Sequence, residues 1–316
     1  MNEMDLTEFP DEEIVPPESM STNQLEPSEQ SPVEFSNLKY IEVKNHQNQF
    51  NNTATVLDML ILYDEDARAN ENTDPNDPNS SVGIETLIMS AVANTNLALD
   101  NSLSQTHVSS FHVAKVTGLT INNNNAQNNL FTFRTNSNVN NLRNQVGADV
   151  VTAIIGISQF NWGACGIAFV QTHSECGYPG LIPSCGDGND FEDYAFNLVT
   201  NACAIDDDTF THELGHLMGA NHSRSDFQFN FPWLQDVVQN GYPEAFGYQQ
   251  STFYNIMTIQ STSTRRLYFS NPSVSVSGIP TGIAGTRHNQ LTIDSLSPTM
   301  ATFRQRPDII FINGFE

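Results

Sequence analysis

The chain has 316 residues, with 36 Asp and Glu against 12 Lys and Arg, a formal net charge of −24. Binding to phosphates or to anionic membranes rests on Lys and Arg, so this balance excludes nucleic acid as a partner. Ten of the acidic residues, five prolines and no basic residue fall within residues 1–37, leaving fourteen units of surplus negative charge for the rest.

That opening stretch carries too little apolar surface to offset the entropy of ordering it. Residues 1–50 are therefore expected to be an acidic disordered tail or a propeptide remnant. The N-terminus has neither the charged start nor the apolar stretch of a signal peptide. No run of about 18 apolar residues occurs, so no membrane span is expected. The remaining chain is long enough to bury a core.

Residues 54–63 (ATVLDMLILY) form a nearly continuous apolar run closed by Asp64, Glu65 and Asp66, the pattern of a buried strand. Between residues 81 and 101, Ile84, Leu87, Ile88, Ala91, Val92 and Ala98 recur at helical spacing. Residues 108–116 alternate as a strand does, and the Asn-rich residues 122–129 read as a loop. A short helix over 138–145 stops at Gly147, and 148–157 (ADVVTAIIGI) is a second buried strand. This alternation predicts an α/β fold, a twisted and mostly parallel sheet covered by helices. Residues 166–171 (GIAFVQ) are a further short strand. A helix over 209–218 starts after three aspartates that suit its N-terminal dipole. The rest is irregular until a final amphipathic helix over 289–303, with Leu291, Leu296, Met300 and Phe303 as candidate core residues.

Cys165, Cys176, Cys185 and Cys203 share one window and contain no Cys-x-x-Cys pair. This argues for one or two disulfides in an oxidising compartment and against a thiolate metal site. Residues 185–190 (CGDGND) are rich in oxygen ligands but lack EF-hand spacing, which leaves calcium unsupported.

Residues 211–223 read T-H-E-L-G-H-L-M-G-A-N-H-S and contain H-E-x-x-H-x-x-G-x-x-H. On a helix His212 and His216 lie one turn apart on one face, able to hold a single metal ion. Gly219 can take the positive φ that turns the chain and returns His222 as a third ligand. Three imidazoles suit zinc and leave a fourth position for water. Glu213 faces that position as the general base, which predicts hydrolysis of an amide bond. His46, His107, His112, His173 and His288 have no ligand spacing.

With this motif, residues 254–258 (YNIMT), 165–168 (CGIA), 194–196 (YAF) and 268–272 (YFSNP) make the chain resemble the metzincin zinc peptidases. Within them it is similar to the bacterial reprolysin-like branch, which overlaps the peptidyl-Asp metalloendopeptidases. The resemblance implies a zincin-like catalytic domain over residues 51–306. Its upper part, 51–219, carries the zinc helix, its lower part, 220–306, is small, irregular and ends in a helix, and residues 307–316 are a tail. It implies a secreted, monomeric, zinc-dependent metalloendopeptidase that hydrolyses peptide bonds in proteins through a zinc-bound water activated by Glu213. Met257 becomes the apolar floor of a Met-turn, and Gly166, Ile167 and Ala168 the edge strand that pairs with substrate. The family pattern joins Cys165 to Cys203, leaving Cys176 with Cys185. Arg265 and Arg266 are either a solvated surface pair or the wall of a pocket for an acidic side chain.

Overall fold

The computed structural model describes residues 32–43, 54–122, 125–157, 164–171, 189–223, 242–259 and 264–305. Its centre is a six-stranded sheet in the order β1 (Glu34–Glu42), β3 (Thr106–Thr117), β2 (Thr55–Tyr63), β4 (Val150–Ile155), β6 (Phe196–Thr200), β5 (Gly166–Ala168). The four inner strands are parallel, and both edge strands, β1 and β5, run antiparallel to their neighbours. Inner strands buried on both faces need apolar residues at nearly every position, and β4 (VVTAII) is buried throughout.

The connections from β2 to β3 and from β3 to β4 carry helices α1 (Glu65–Glu71), α2 (Val82–Asn101), α3 (Ala126–Thr135) and α4 (Ser137–Val146); α5 (Thr209–Leu217) follows β6, and α6 (Asn289–Met300) lies near the C-terminus. Helix α2 is long and apolar enough in length and composition to cross a membrane, but half of it is buried inside the protein. Its Ile84, Leu87, Ile88, Ala91, Val92 and Ala98 belong to the core.

Alternation along β6 assigns the two faces of the sheet. Phe196 meets Phe133 of α3 edge-on, with ring centroids 5.6 Å apart, and lies under the guanidinium of Arg143 from α4. Gly166 pairs with Val199, which points the other way, and it is this face that α5 covers. A bond of 2.9 Å between the hydroxyls of Thr95 and Thr211 sets α2 beside α5. Beyond α5 the strands among the described residues form short pairs: β7 (Asn221–Ser223) with β8 (Phe246–Gly247), β9 (Phe253–Tyr254) with β10 (Thr264–Arg265), and β11 (Ser275–Val276) with β12 (Ile279–Pro280).

The structure departs from the sequence reading in several places. Residues 34–42, assigned to the acidic tail, form β1, held by its ladder to β3 although most of its side chains are exposed. The Asn-rich loop ends early because Asn125 caps α3, its side chain accepting from the Asn128 amide, while Leu130 and Phe133 are buried. Helix α1 and strand β6 had no element assigned, and the strand expected over 166–171 is confined to three residues. Leu291 is 44% exposed, whereas Leu296, Met300 and Phe303 are buried. The tail residues before 32, the 172–188 segment with Cys176 and Cys185, and residues 307–316 lie outside the described residues. So does the calcium candidate, apart from the backbone of its last two residues.

One buried carboxyl makes stability depend on pH. Asp149, almost fully buried at the start of β4, accepts from the backbone amides of Asp58 and Arg304. Burial pushes its pKa up to about 7, against the pull of those two amides and of Arg143. The folded protein therefore keeps a proton that the unfolded chain releases near pH 4. The resulting stabilisation is complete below about pH 4 and is lost as pH rises toward 7. The urea midpoint is expected to fall between pH 5 and pH 8, and to fall less in Asp149→Asn.

Candidate active site

Helix α5 begins at Thr209, where Asp208 holds a left-handed φ of 52°, and ends in a turn through Gly219 at φ 85°. A side chain at Gly219 would be strained there, and its Cβ would lie 2.3 Å from Leu296 Cδ1. This turn brings His222, in β7, back over the helix. The Nε2 atoms of His212, His216 and His222 lie 2.9–3.1 Å from one another.

The outer ring atoms explain that convergence. His212 Nδ1 donates to the Ile256 carbonyl at 2.7 Å and His216 Nδ1 to the Ala220 carbonyl at 2.8 Å. A nitrogen that faces a carbonyl must carry the ring proton, so the Nε2 of each of these two rings presents a lone pair. Lone pairs converging on one point repel unless a cation lies between them. Tetrahedral zinc with bonds of about 2.0–2.1 Å would set its ligand nitrogens about 3.3 Å apart, so the residues fit a metal ion. All three rings are buried, and the three form a group that could hold a metal ion.

The floor of the site is a turn over 255–258. Ile256, whose carbonyl orients His212, is itself fixed by an amide bond to the Tyr268 carbonyl. Met257 is fully buried, and a Cβ on Gly215 would lie 2.7 Å from its Sδ and 2.9 Å from Phe269. Glycine inside a helix costs about 1 kcal/mol relative to alanine. Here it lets the methionine pack against α5 between the levels of His212 and His216. The Met257 carbonyl in turn accepts from the Ser223 amide next to His222.

Glu213 is 2% exposed and points at β5. A Cβ on Gly166 would fall 2.5 Å from Glu213 Oε1 and 2.7 Å from Thr209 Cγ2, so only glycine admits the carboxylate there. Cys165 precedes it and is joined to Cys203, ahead of α5, with Cα atoms 5.8 Å apart. The Thr200 amide donates to the Cys165 carbonyl, which makes residues 165 and 200 a hydrogen-bonded pair. By alternation 167 and 198 are one too, so Gly166 and Ala168 turn their amides and carbonyls to the outer edge of β5. Among the described residues no strand pairs with that edge. The sequence-predicted residues Glu213, His212, His216, His222, Met257, Gly166 and the Cys165–Cys203 pair are thus brought together. Gly166→Ala is expected to reduce hydrolysis about tenfold, a smaller loss than the 10² that a 1 Å misplacement can cost. Near-normal metal content in the same protein would separate this effect from loss of the site.

Two features were not legible in the sequence. Asn255, fully buried, accepts from the Tyr248 amide and the Thr258 hydroxyl and holds the turn beneath the histidines. Arg265 and Arg266 also separate: the first is half-buried with its side chain against Tyr254, the second exposed. The remaining described histidines, His107, His112 and His288, join no metal-ligating group.

Two histidines one turn apart on a helix, a third returned by a glycine turn and a methionine beneath them together make a candidate metal centre. Residues 86–223 match the family described as metallo-peptidase family M12B, reprolysin-like. Similar proteins include the peptidyl-Asp metalloendopeptidases of Stenotrophomonas maltophilia strain K279a, 29% identical over 144 residues, and of strain R551-3, 30% identical over 144 residues. A third, from Xanthomonas campestris pv. campestris, is 29% identical over 139 residues. The matches cover 44% of this chain and only 30–31% of each relative, so the chain spans about a third of their length. A solved structure of a chaperone–substrate complex shares the fold, with a TM-score of 0.56 and 15% identity over 80% of this chain and 39% of that one.

Proposed function

We propose that the chain is a zinc metalloendopeptidase of zincin-like fold that hydrolyses peptide bonds in proteins. The observation that carries this reading is the convergence of three imidazole nitrogens, two of them fixed as lone-pair donors by the carbonyls of Ile256 and Ala220. His212, His216 and His222 would hold the ion, which would supply Lewis acidity toward a substrate carbonyl and acidify water.

The rest of the chemistry belongs to the chain. The outward amides and carbonyls of Gly166 and Ala168 pair with an extended peptide by strand addition, a mode that tolerates many side chains. The peptide then runs along the outer edge of β5, with Glu213 held beside it at Gly166. The Glu213 carboxylate takes the proton of the attacking water and returns it to the departing amine. Met257 gives the ligands a rigid apolar floor.

The disulfide favours an oxidising compartment, and we place the enzyme outside the cell as a monomer. The relatives' printed name, peptidyl-Asp metalloendopeptidase, makes bonds flanking aspartate the first substrates to test. Cleavage of such peptides that stops with a chelator and returns with zinc supports the reading; hydrolysis that continues in the chelator overturns it. Zinc bound at equal stoichiometry without hydrolysis would instead make the chain a zinc-binding interaction protein.

A further inference from the structure

We propose that Arg265 is the specificity-determining residue of this site, its guanidinium receiving the carboxylate of an acidic substrate side chain beside the first turn of α5. The inference rests on the peptidase reading and deepens it. The sequence offers two adjacent arginines without distinguishing them; the structure does. Arg266 is exposed, while Arg265 is half-buried on β10, which lies parallel to β9.

Two contacts fix where its charge sits. The guanidinium carbon lies 5.3 Å from the centre of the Tyr254 ring, a cation–π distance. Nη2 is 3.5 Å from the carbonyl of Thr258, the residue after Met257. The charge also acts on Asp208, the residue immediately before α5 and one turn ahead of His212. Arg265 thus stands near the foot of α5 and touches Thr258, two residues along the chain from Ile256, whose carbonyl orients His212.

The donors of this guanidinium are not used up. Nε is buried with no hydrogen-bond partner, and among the described residues Arg265 has no carboxylate within ion-pair distance. A guanidinium is a planar fork matched to a carboxylate, and one partly withdrawn from water with open donors gains most from an anionic partner. The acid that feels its charge is Asp208, which Asp206 and Asp207 also flank. Burial holds the Asp208 carboxyl above its usual range, with Arg265 and the Asn94 amide pulling it back. With its Nε unpartnered and no described carboxylate within ion-pair distance, the arginine has positive potential to offer a substrate.

The test compares hydrolysis of matched peptides that carry Asp, Asn or Lys next to the scissile bond. Wild type is expected to favour Asp over Asn at least tenfold in kcat/KM. Arg265→Gln is expected to lose that ratio through the Asp peptide, Arg265→Lys to keep most of it, and Arg265→Glu to shift preference toward Lys. Arg266→Gln should leave all three rates unchanged. Binding of the Asp peptide in a Glu213→Gln background, with and without Arg265→Gln, gives the same comparison without turnover. An Asp to Asn ratio unchanged in folded Arg265→Gln overturns the inference alone. A wild type that hydrolyses none of the peptides overturns the peptidase reading and this inference with it.

Discussion

Glu213→Gln is expected to lower kcat by about 10²–10⁴-fold, the range that a positioned general base contributes, and to leave bound metal unchanged. The amide is nearly isosteric with the carboxylate, so it fits the space that Gly166 leaves open. It cannot take a proton from water. The three imidazole nitrogens are held by the carbonyls of Ile256 and Ala220 and by the Gly219 turn, none of which involves the Glu213 side chain. Metal content measured by atomic emission should therefore match wild type while turnover is lost. KM should change little, because strand pairing to β5 uses backbone groups. A variant that retains more than a tenth of wild-type turnover would remove Glu213 from the role of base.

The separation of ligand from base was legible in the sequence because every element of it is local. Two histidines at i and i+4 share a helical face whatever surrounds the helix, and Gly219 supplies the turn within three residues of His216. Strands β2 and β4 were legible too, since they are apolar on both faces. What failed to show depends on partners distant in the chain. Strand β1 exposes most of its side chains and owes its conformation to the Glu34–Thr117 to Glu42–Ser110 ladder. Helix α3 looked like a polar loop because its first turn (Ala126, Gln127, Asn128, Asn129) is mostly polar and follows a run of asparagines, yet Asn125 caps it and Asn129 bonds back to Asn122. The five residues of β6 are too few for periodicity to register. Met257 had no signal of its own: a buried methionine becomes a floor only because Gly215, on another element, lacks a side chain. Leu291 was misplaced for a related reason. It satisfies the helical spacing of the core but falls on the flank of α6 that nothing covers.

Replacing a ligand should have the opposite signature to replacing the base. His222→Ala is expected to reduce bound zinc well below one ion per chain and activity to background, even with the Glu213 carboxylate intact. The reason lies in how each histidine is delivered. His212 and His216 are set by one helix, but His222 arrives after the chain has reversed at Gly219, and β7 is held by the Ser223 amide on the Met257 carbonyl. Without it two imidazoles remain, short of the three protein ligands of a catalytic zinc site. Thermal melting provides a measure independent of turnover. A ligand that binds only the folded state raises stability by RT ln(1 + [L]/Kd), about 2.7 kcal/mol at a hundredfold excess over Kd. Zinc should therefore raise the Tm of chelator-treated wild type and of Glu213→Gln alike, and scarcely move that of His222→Ala. In the metal-free state the variant should lose less than a buried deletion normally costs, because removing one ring relieves the crowding of converged lone pairs. A zinc-dependent rise in Tm in His222→Ala equal to that of wild type would move the metal away from this triad.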